Sequence, residues 1–118
     1  MPSTPSREWA QILAGVARLI DESHYAVQIR RCSACGQHFF HVFSEFVDWK
    51  NGEDAMYSDV VPITPEEAAA LIAKGENIEP AEFEALGKDR RRLCDYHPTG
   101  KPRTITYAHG NLSVLPGR

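Results

Sequence analysis

Residues 38–63 read HFFHVFSEFVDWKNGEDAMYSDVVPI, two apolar-rich runs on either side of Lys50-Asn51-Gly52-Glu53. Asn-Gly supplies two residues that tolerate positive φ, which is what a two-residue hairpin turn requires. Pairing Lys50 with Glu53 then sets Val47 opposite Met56, Phe46 opposite Tyr57, Phe43 opposite Val60 and Val42 opposite Val61, so large apolar side chains meet at each of these positions. The stretch predicts a long antiparallel hairpin that Pro62 ends, because proline has no N–H to give a ladder.

On the N-terminal side, Tyr25, Val27 and Ile29 alternate with Ala26, Gln28 and Arg30, the period of a half-buried strand running into Cys32. Further upstream, Trp9, Ile12, Leu13, Val16, Leu19 and Ile20 recur at helical spacing behind a Thr4-Pro5 start, which predicts a helix over about 5–22. On the C-terminal side, Thr64-Pro65-Glu66-Glu67 is a capping box, and it opens a helix that Gly75 closes. A third helix is expected from 80 to about 92. After a turn over 94–100, residues 103–108 alternate again, and 112–115 is read as a short edge strand or a packed tail.

The chain has 118 residues, 42% hydrophobic and 25% charged, the make-up of one globular domain spanning 1–118. No repeat or long linker divides it. Charges interrupt every apolar run well short of the roughly 20 residues a membrane span needs, and the expected location is the cytoplasm.

Three cysteines cannot pair completely within one chain, and two of them stand as Cys32-Ser33-Ala34-Cys35-Gly36. With Cys94-Asp95-Tyr96-His97 they make two pairs of donors, each separated by two residues, the spacing that lets both members of a pair reach one ion from a tight turn. Cys32, Cys35, Cys94 and His97 are therefore the expected ligands of one structural Zn2+, with His38 or His41 as the alternative fourth ligand. Cys32, Cys35 and Gly36 at a hairpin tip resemble the first knuckle of zinc-ribbon or rubredoxin-like proteins, and Cys94 and His97 fit a Cys3His set. Ser33 in place of the common proline, 58 residues between the pairs and a helix before Cys94 depart from the ribbon pattern. The expected class is α+β: a small antiparallel sheet with a zinc-knuckle hairpin, an N-terminal helix and two central helices. A redox pair at Cys32 and Cys35 is the alternative thiol chemistry, although strand-like residues follow Cys35 where thioredoxin-type sites place a helix.

No His-Glu-x-x-His, Gly-x-Gly-x-x-Gly, phosphate-binding loop, Gly-x-Ser-x-Gly or zinc-deaminase signature occurs, and a non-enzymatic role is expected. The net charge of −3 conceals a division. From His41 to Leu86, eleven acids face two bases, a local −9; the remainder of the chain carries +6. Asp48, Glu53, Asp54 and Asp59 surround the hairpin tip with Trp49, an acidic surface with an aromatic anchor that suits a basic protein partner, as an inhibitor or immunity-type binder would use. Lys88, Arg90, Arg91, Arg92, Lys101 and Arg103 form the opposing basic patch, the basis of a nucleic-acid-binding alternative. The interleaved aromatics of a base-stacking platform are missing from it.

Overall fold

A computed structural model describes residues 1–46 and 54–110. Six strands form a single antiparallel sheet in chain order: β1 (Ala14–Glu22), β2 (Tyr25–Arg31), β3 (His38–Phe46), β4 (Ala55–Ile63), β5 (Arg91–His97) and β6 (Thr104–His109). A five-residue helix, α1 (Arg7–Gln11), precedes them. Between β4 and β5 come α2 (Pro65–Lys74), the 3₁₀ turn Gly75–Asn77 that extends it, and α3 (Pro80–Gly87).

The expected class is thereby corrected: the sheet is not a small component beside helices but the frame of the molecule, built from strands that reach from residue 14 to residue 109. The largest single correction is at the N-terminus, where a helix over 5–22 was expected and only Arg7–Gln11 is helical. Ala14–Glu22 instead pairs with β2, with irregularities between Gly15 and Ala17 and between Arg18 and Ile20. Each bulge adds one residue to the strand's repeat of two. Ala17, Leu19 and Ile20 all reach the same core, and the spacing of three mimics a helical stripe. Two members of that stripe, Ile12 and Val16, are exposed, at 75% and 45%. The helix expected to run to 92 likewise stops at Gly87, and Arg91–His97 is a strand.

The β3–β4 hairpin forms with a register displaced by two residues: Phe46 faces Ala55 rather than Tyr57, and Val42 faces Asp59 rather than Val61. A displacement of two keeps every side chain on the face that alternation gives it. The turn at Lys50–Glu53 lies outside the described residues, as do residues 112–115. β4 continues past Pro62, which is tolerated because the β4–β5 ladder runs only from Met56↔His97 to Val60↔Leu93.

Alternation divides the sheet into two faces. On the inner face, Val27, Ile29, Phe40, Val42, Val61 and Ile63 pack under Ala68, Leu71, Ile78 and Leu86 of the helical segment. α2 is fixed there by its capping box: Thr64 Oγ1 accepts from the Glu67 amide at 3.1 Å, and the Thr64 amide donates to Glu67 Oε1 at 2.9 Å. On the outer face, Phe39, Val60 and Leu93 pack with Leu13 beneath the N-terminal segment, and Trp9 meets Phe39 edge-on at 5.2 Å. The N-terminal segment is held across the sheet by Arg7 to Asp95 of β5, at 3.1 and 3.4 Å, and by the Tyr107 hydroxyl donating to the Pro2 carbonyl at 2.5 Å.

Candidate functional site

The segment linking β2 to β3 carries the first pair of thiols. The Gly36 amide donates to the Cys32 carbonyl at 2.8 Å and the Cys32 amide to the Gln37 carbonyl at 2.9 Å, closing a tight turn at a hairpin tip. Gly36 sits at φ +81°, where a side chain would be strained and its Cβ would meet the Arg31 guanidinium at 3.4 Å. The amides of Cys35 and Ala34 and the Cys35 thiol are directed at the Cys32 sulfur. The Cys35 amide is the strongest of these in holding the Cys32 thiol below its ordinary pKa. Cys35 is exposed and Cys32 half-buried.

The second pair lies elsewhere. Cys94 and His97 belong to a strand rather than a turn, and strand alternation sends residues three apart to opposite faces. Cys94 is buried on the inner face between Asp59 and Thr106, and burial pushes its thiol pKa up. His97 lies on the outer face opposite Met56, against a groove that Glu45 and Asp54 also line. The row Val27, Val42, Asp59, Cys94 crosses the sheet five residues from Cys32, about 17 Å along the strand. The four expected zinc ligands are thus not brought together, and among the described residues no three His, Cys, Asp or Glu side chains form a metal-binding group. Neither alternative histidine changes this. His38 lies on the inner face with Nδ1 buried and without a hydrogen-bond partner, and His41 on the outer face holds Ser58.

The expected acidic surface is similarly redistributed. Asp48, Trp49 and Glu53 lie outside the described residues, and Asp54 is half-buried. Asp59 is no surface acid: it is fully buried, accepts from the Tyr96 hydroxyl at 2.6 Å, and lies 3.5 Å from Arg92 Nε. Parity decides this, since Asp59 falls on the same face as its neighbours Val42 and Cys94. Among the described acids between His41 and Leu86, those that face solvent are in the helical segment, where Glu66, Glu76 and Glu79 are exposed. Along the outer side of α2, Ala69, Ala70, Ile72 and Ala73 are also exposed, Ile72 at 41%.

The basic patch is dispersed by the same alternation. Arg90 pairs with Glu67 at 2.6 Å and donates to the Pro62 carbonyl. Arg91 lies over the Tyr107 ring at 4.2 Å on the outer face, and Arg92 is buried on the inner face. Arg103 grips Asp95 through two bonds of 2.9 Å. Lys88 and Lys101 are exposed at separate places along the chain.

One site has no counterpart in the sequence reading. On the outer face, beneath α1, a cavity of about 180 Å³ is lined by Arg7, Arg30, His41, Ser58, Asp95 and Arg103 over a floor that includes Phe43, Met56, Val60 and Leu93. His41 Nε2 lies 2.5 Å from Ser58 Oγ, and Gln28 Nε2 lies 3.2 Å from His41 Nδ1. Burial, reinforced by Arg30, pushes the His41 pKa down to about 4, so its ring is neutral at neutral pH. Burial pushes the Asp95 carboxyl up, but the guanidinium hydrogen bonds of Arg103 and Arg7 outweigh it and hold the group below the usual carboxylate range. The residues come from α1, four different strands and the segment before β6, so no local motif announces them. Only the strand register brings them together.

Against known protein families, characterised proteins and solved structures, the chain matches none.

Proposed function

We propose that the chain is a non-enzymatic protein-binding module that docks a basic partner on the outer side of α2. The observation that carries this reading is the composition of that surface. Ala69, Ala70, Ile72 and Ala73 present an apolar strip, with exposed Glu66 near its start and exposed Glu76 and Glu79 beyond its end. The helical segment over 64–87 contains six acids, Glu66, Glu67, Glu76, Glu79, Glu82 and Glu84, against the single base Lys74. An apolar centre within an acidic rim complements a basic surface with an aliphatic or aromatic anchor. The other side of α2 is already used, with Ala68 and Leu71 buried in the inner core.

The test is affinity capture from the cells that express the protein, followed by reconstitution with the purified partner. The expected partner is basic, its affinity falls with salt, and it binds at least about tenfold more weakly to Ile72→Asp and to the Glu66→Lys, Glu76→Lys double variant. Equal affinity for wild type and both variants would overturn the reading.

A second reading, a thiol switch, draws on the Cys32 turn, where hydrogen bonds from the Cys35 amide and the Cys35 thiol hold the Cys32 thiol below its ordinary pKa. Two thiols lose two electrons and two protons to an oxidising disulfide such as oxidised glutathione and become one intramolecular disulfide. Mass spectrometry after such treatment checks it: a Cys32–Cys35 bond is expected, and glutathionylated cysteines without that bond would count against the switch.

A further inference from the structure

The cavity beneath α1 is on the sheet face opposite α2, and nothing in the docking reading uses it. Its polar side is an array of donors and positive charge. Arg7, Arg30 and Arg103 line it with one carboxylate, Asp95, which leaves two positive charges in excess around a volume of about 180 Å³. Arg7 and Arg103 both approach Asp95 through paired N–H groups, so the geometry of their guanidinium edges already suits a carboxylate. Arg30 is anchored through Nη2 to the carbonyls of Leu13 at 2.6 Å and Gln11 at 3.3 Å, which fixes its charge in place.

The histidine sets the direction of the remaining hydrogen bonds. The Gln28 amide nitrogen can only donate, so His41 Nδ1 accepts and Nε2 carries the ring proton. That proton points at Ser58 Oγ, and Ser58 is left with its own O–H to give to an acceptor. A serine whose oxygen receives a hydrogen bond from histidine is not activated as a nucleophile. It is set as a donor, which makes this a recognition site rather than the start of acyl transfer.

The floor supplies the other half of the specificity. Phe43, Met56, Val60 and Leu93 give the base of the cavity an apolar surface, and an engineered apolar cavity of about 150 Å³ is large enough to bind benzene. We propose that this cavity binds a small monocarboxylate with a compact apolar body, about the size of benzoate, its carboxylate toward Arg30 and Ser58 and its body on the Phe43, Met56 and Leu93 floor.

Titration of the full chain, followed by amide chemical shifts and by calorimetry, tests this with benzoate as probe and benzamide, acetate and inorganic phosphate as comparisons. Benzoate is expected to saturate one site with a Kd on the order of 0.1 mM, a strength suited to a ligand of about nine heavy atoms. The shifts should centre on residues 28–30, 41–43, 56–60 and 93–95. Benzamide and acetate should each bind at least about tenfold more weakly, the first for want of charge and the second for want of an apolar body. Arg30→Met should weaken benzoate about tenfold or more, and Ser58→Ala, which removes a single oxygen and leaves packing intact, should weaken it about threefold to tenfold. If Arg30→Met does not fold, Ser58→Ala decides alone. The proposal is overturned by a benzoate response that does not saturate, by benzamide or phosphate binding as tightly as benzoate, or by unchanged affinity in Ser58→Ala. Because α2 is untouched by these variants, failure here leaves the docking surface standing, and loss of partner binding in Ile72→Asp leaves this pocket standing.

Discussion

The two faces of the sheet solve different problems with the same alternation. The inner face is apolar across four strands and is sealed by α2 and the segment after it, with one buried ion pair, Asp59 and Arg92, in its midst. The outer face is apolar where Trp9, Leu13, Phe39, Val60 and Leu93 meet; beside that patch it carries arginines, a histidine, a serine and an aspartate around a cavity. A continuous apolar face has no room for a ligand. The face covered by a helix of only five residues keeps a space that polar side chains can line.

Substitutions of the two adjacent phenylalanines of β3 should expose this contrast most strongly. Phe40→Ala, on the inner face, is expected to cost about 4–5 kcal/mol in urea unfolding. Phe39→Ala should cost nearer about 3 kcal/mol, because the short N-terminal segment can settle into the space. Equal costs would show that the outer cover is as rigid as the inner one. Asp59→Asn comes next. It leaves the Arg92 guanidinium, whose side chain is only 10% exposed, without its charge partner, and the expected loss is about 3 kcal/mol.

The pH dependence separates the faces again. The folded pKa of His41 lies below its unfolded value, so its contribution is complete above about pH 6.5 and is lost as pH falls toward about 4, while the unfolded chain takes up the proton first. Unfolding measured at pH 7 and pH 4.5 should differ by about 2 kcal/mol from this group, and the difference should shrink in His41→Gln. The helix caps give the smallest effects. Thr64→Ala should cost about 1 kcal/mol and Ser6→Ala, which caps only α1, about 0.5 kcal/mol, each read from thermal unfolding.

What could be read directly from the sequence follows the same line. The β3–β4 hairpin, β2 and the start of α2 are local: alternation, Asn-Gly and the Thr64-x-x-Glu67 box act over a few residues. β1 was hidden because two bulges turned a period of two into one of three, and a helix template fits that spacing. The β3–β4 register differs by two residues from the one a Lys50–Glu53 pair would set, and pairs Phe40 with Val61 and Val42 with Asp59. Cys94 and His97 have a spacing that suits a metal in a turn but sends the two side chains apart in a strand. The cavity was hidden for a deeper reason. Its residues run from Arg7 to Arg103, and only the register of the three ladders from β2 to β5, with α1 folded over them, makes Ser58, His41 and Asp95 neighbours.

The order of strands in the sheet is also their order in the chain, and this bears on how the protein is made. Each hairpin can close as soon as its second strand leaves the ribosome, so most of the sheet grows by short-range steps of the kind that fold fast. The N-terminal segment is the exception. Although it precedes all six strands, two of its anchors are Asp95 and Tyr107, 88 and 105 residues away, and these contacts wait until β5 and β6 have been added. The roof of the cavity therefore takes its final place only after β5 and β6 have joined the sheet.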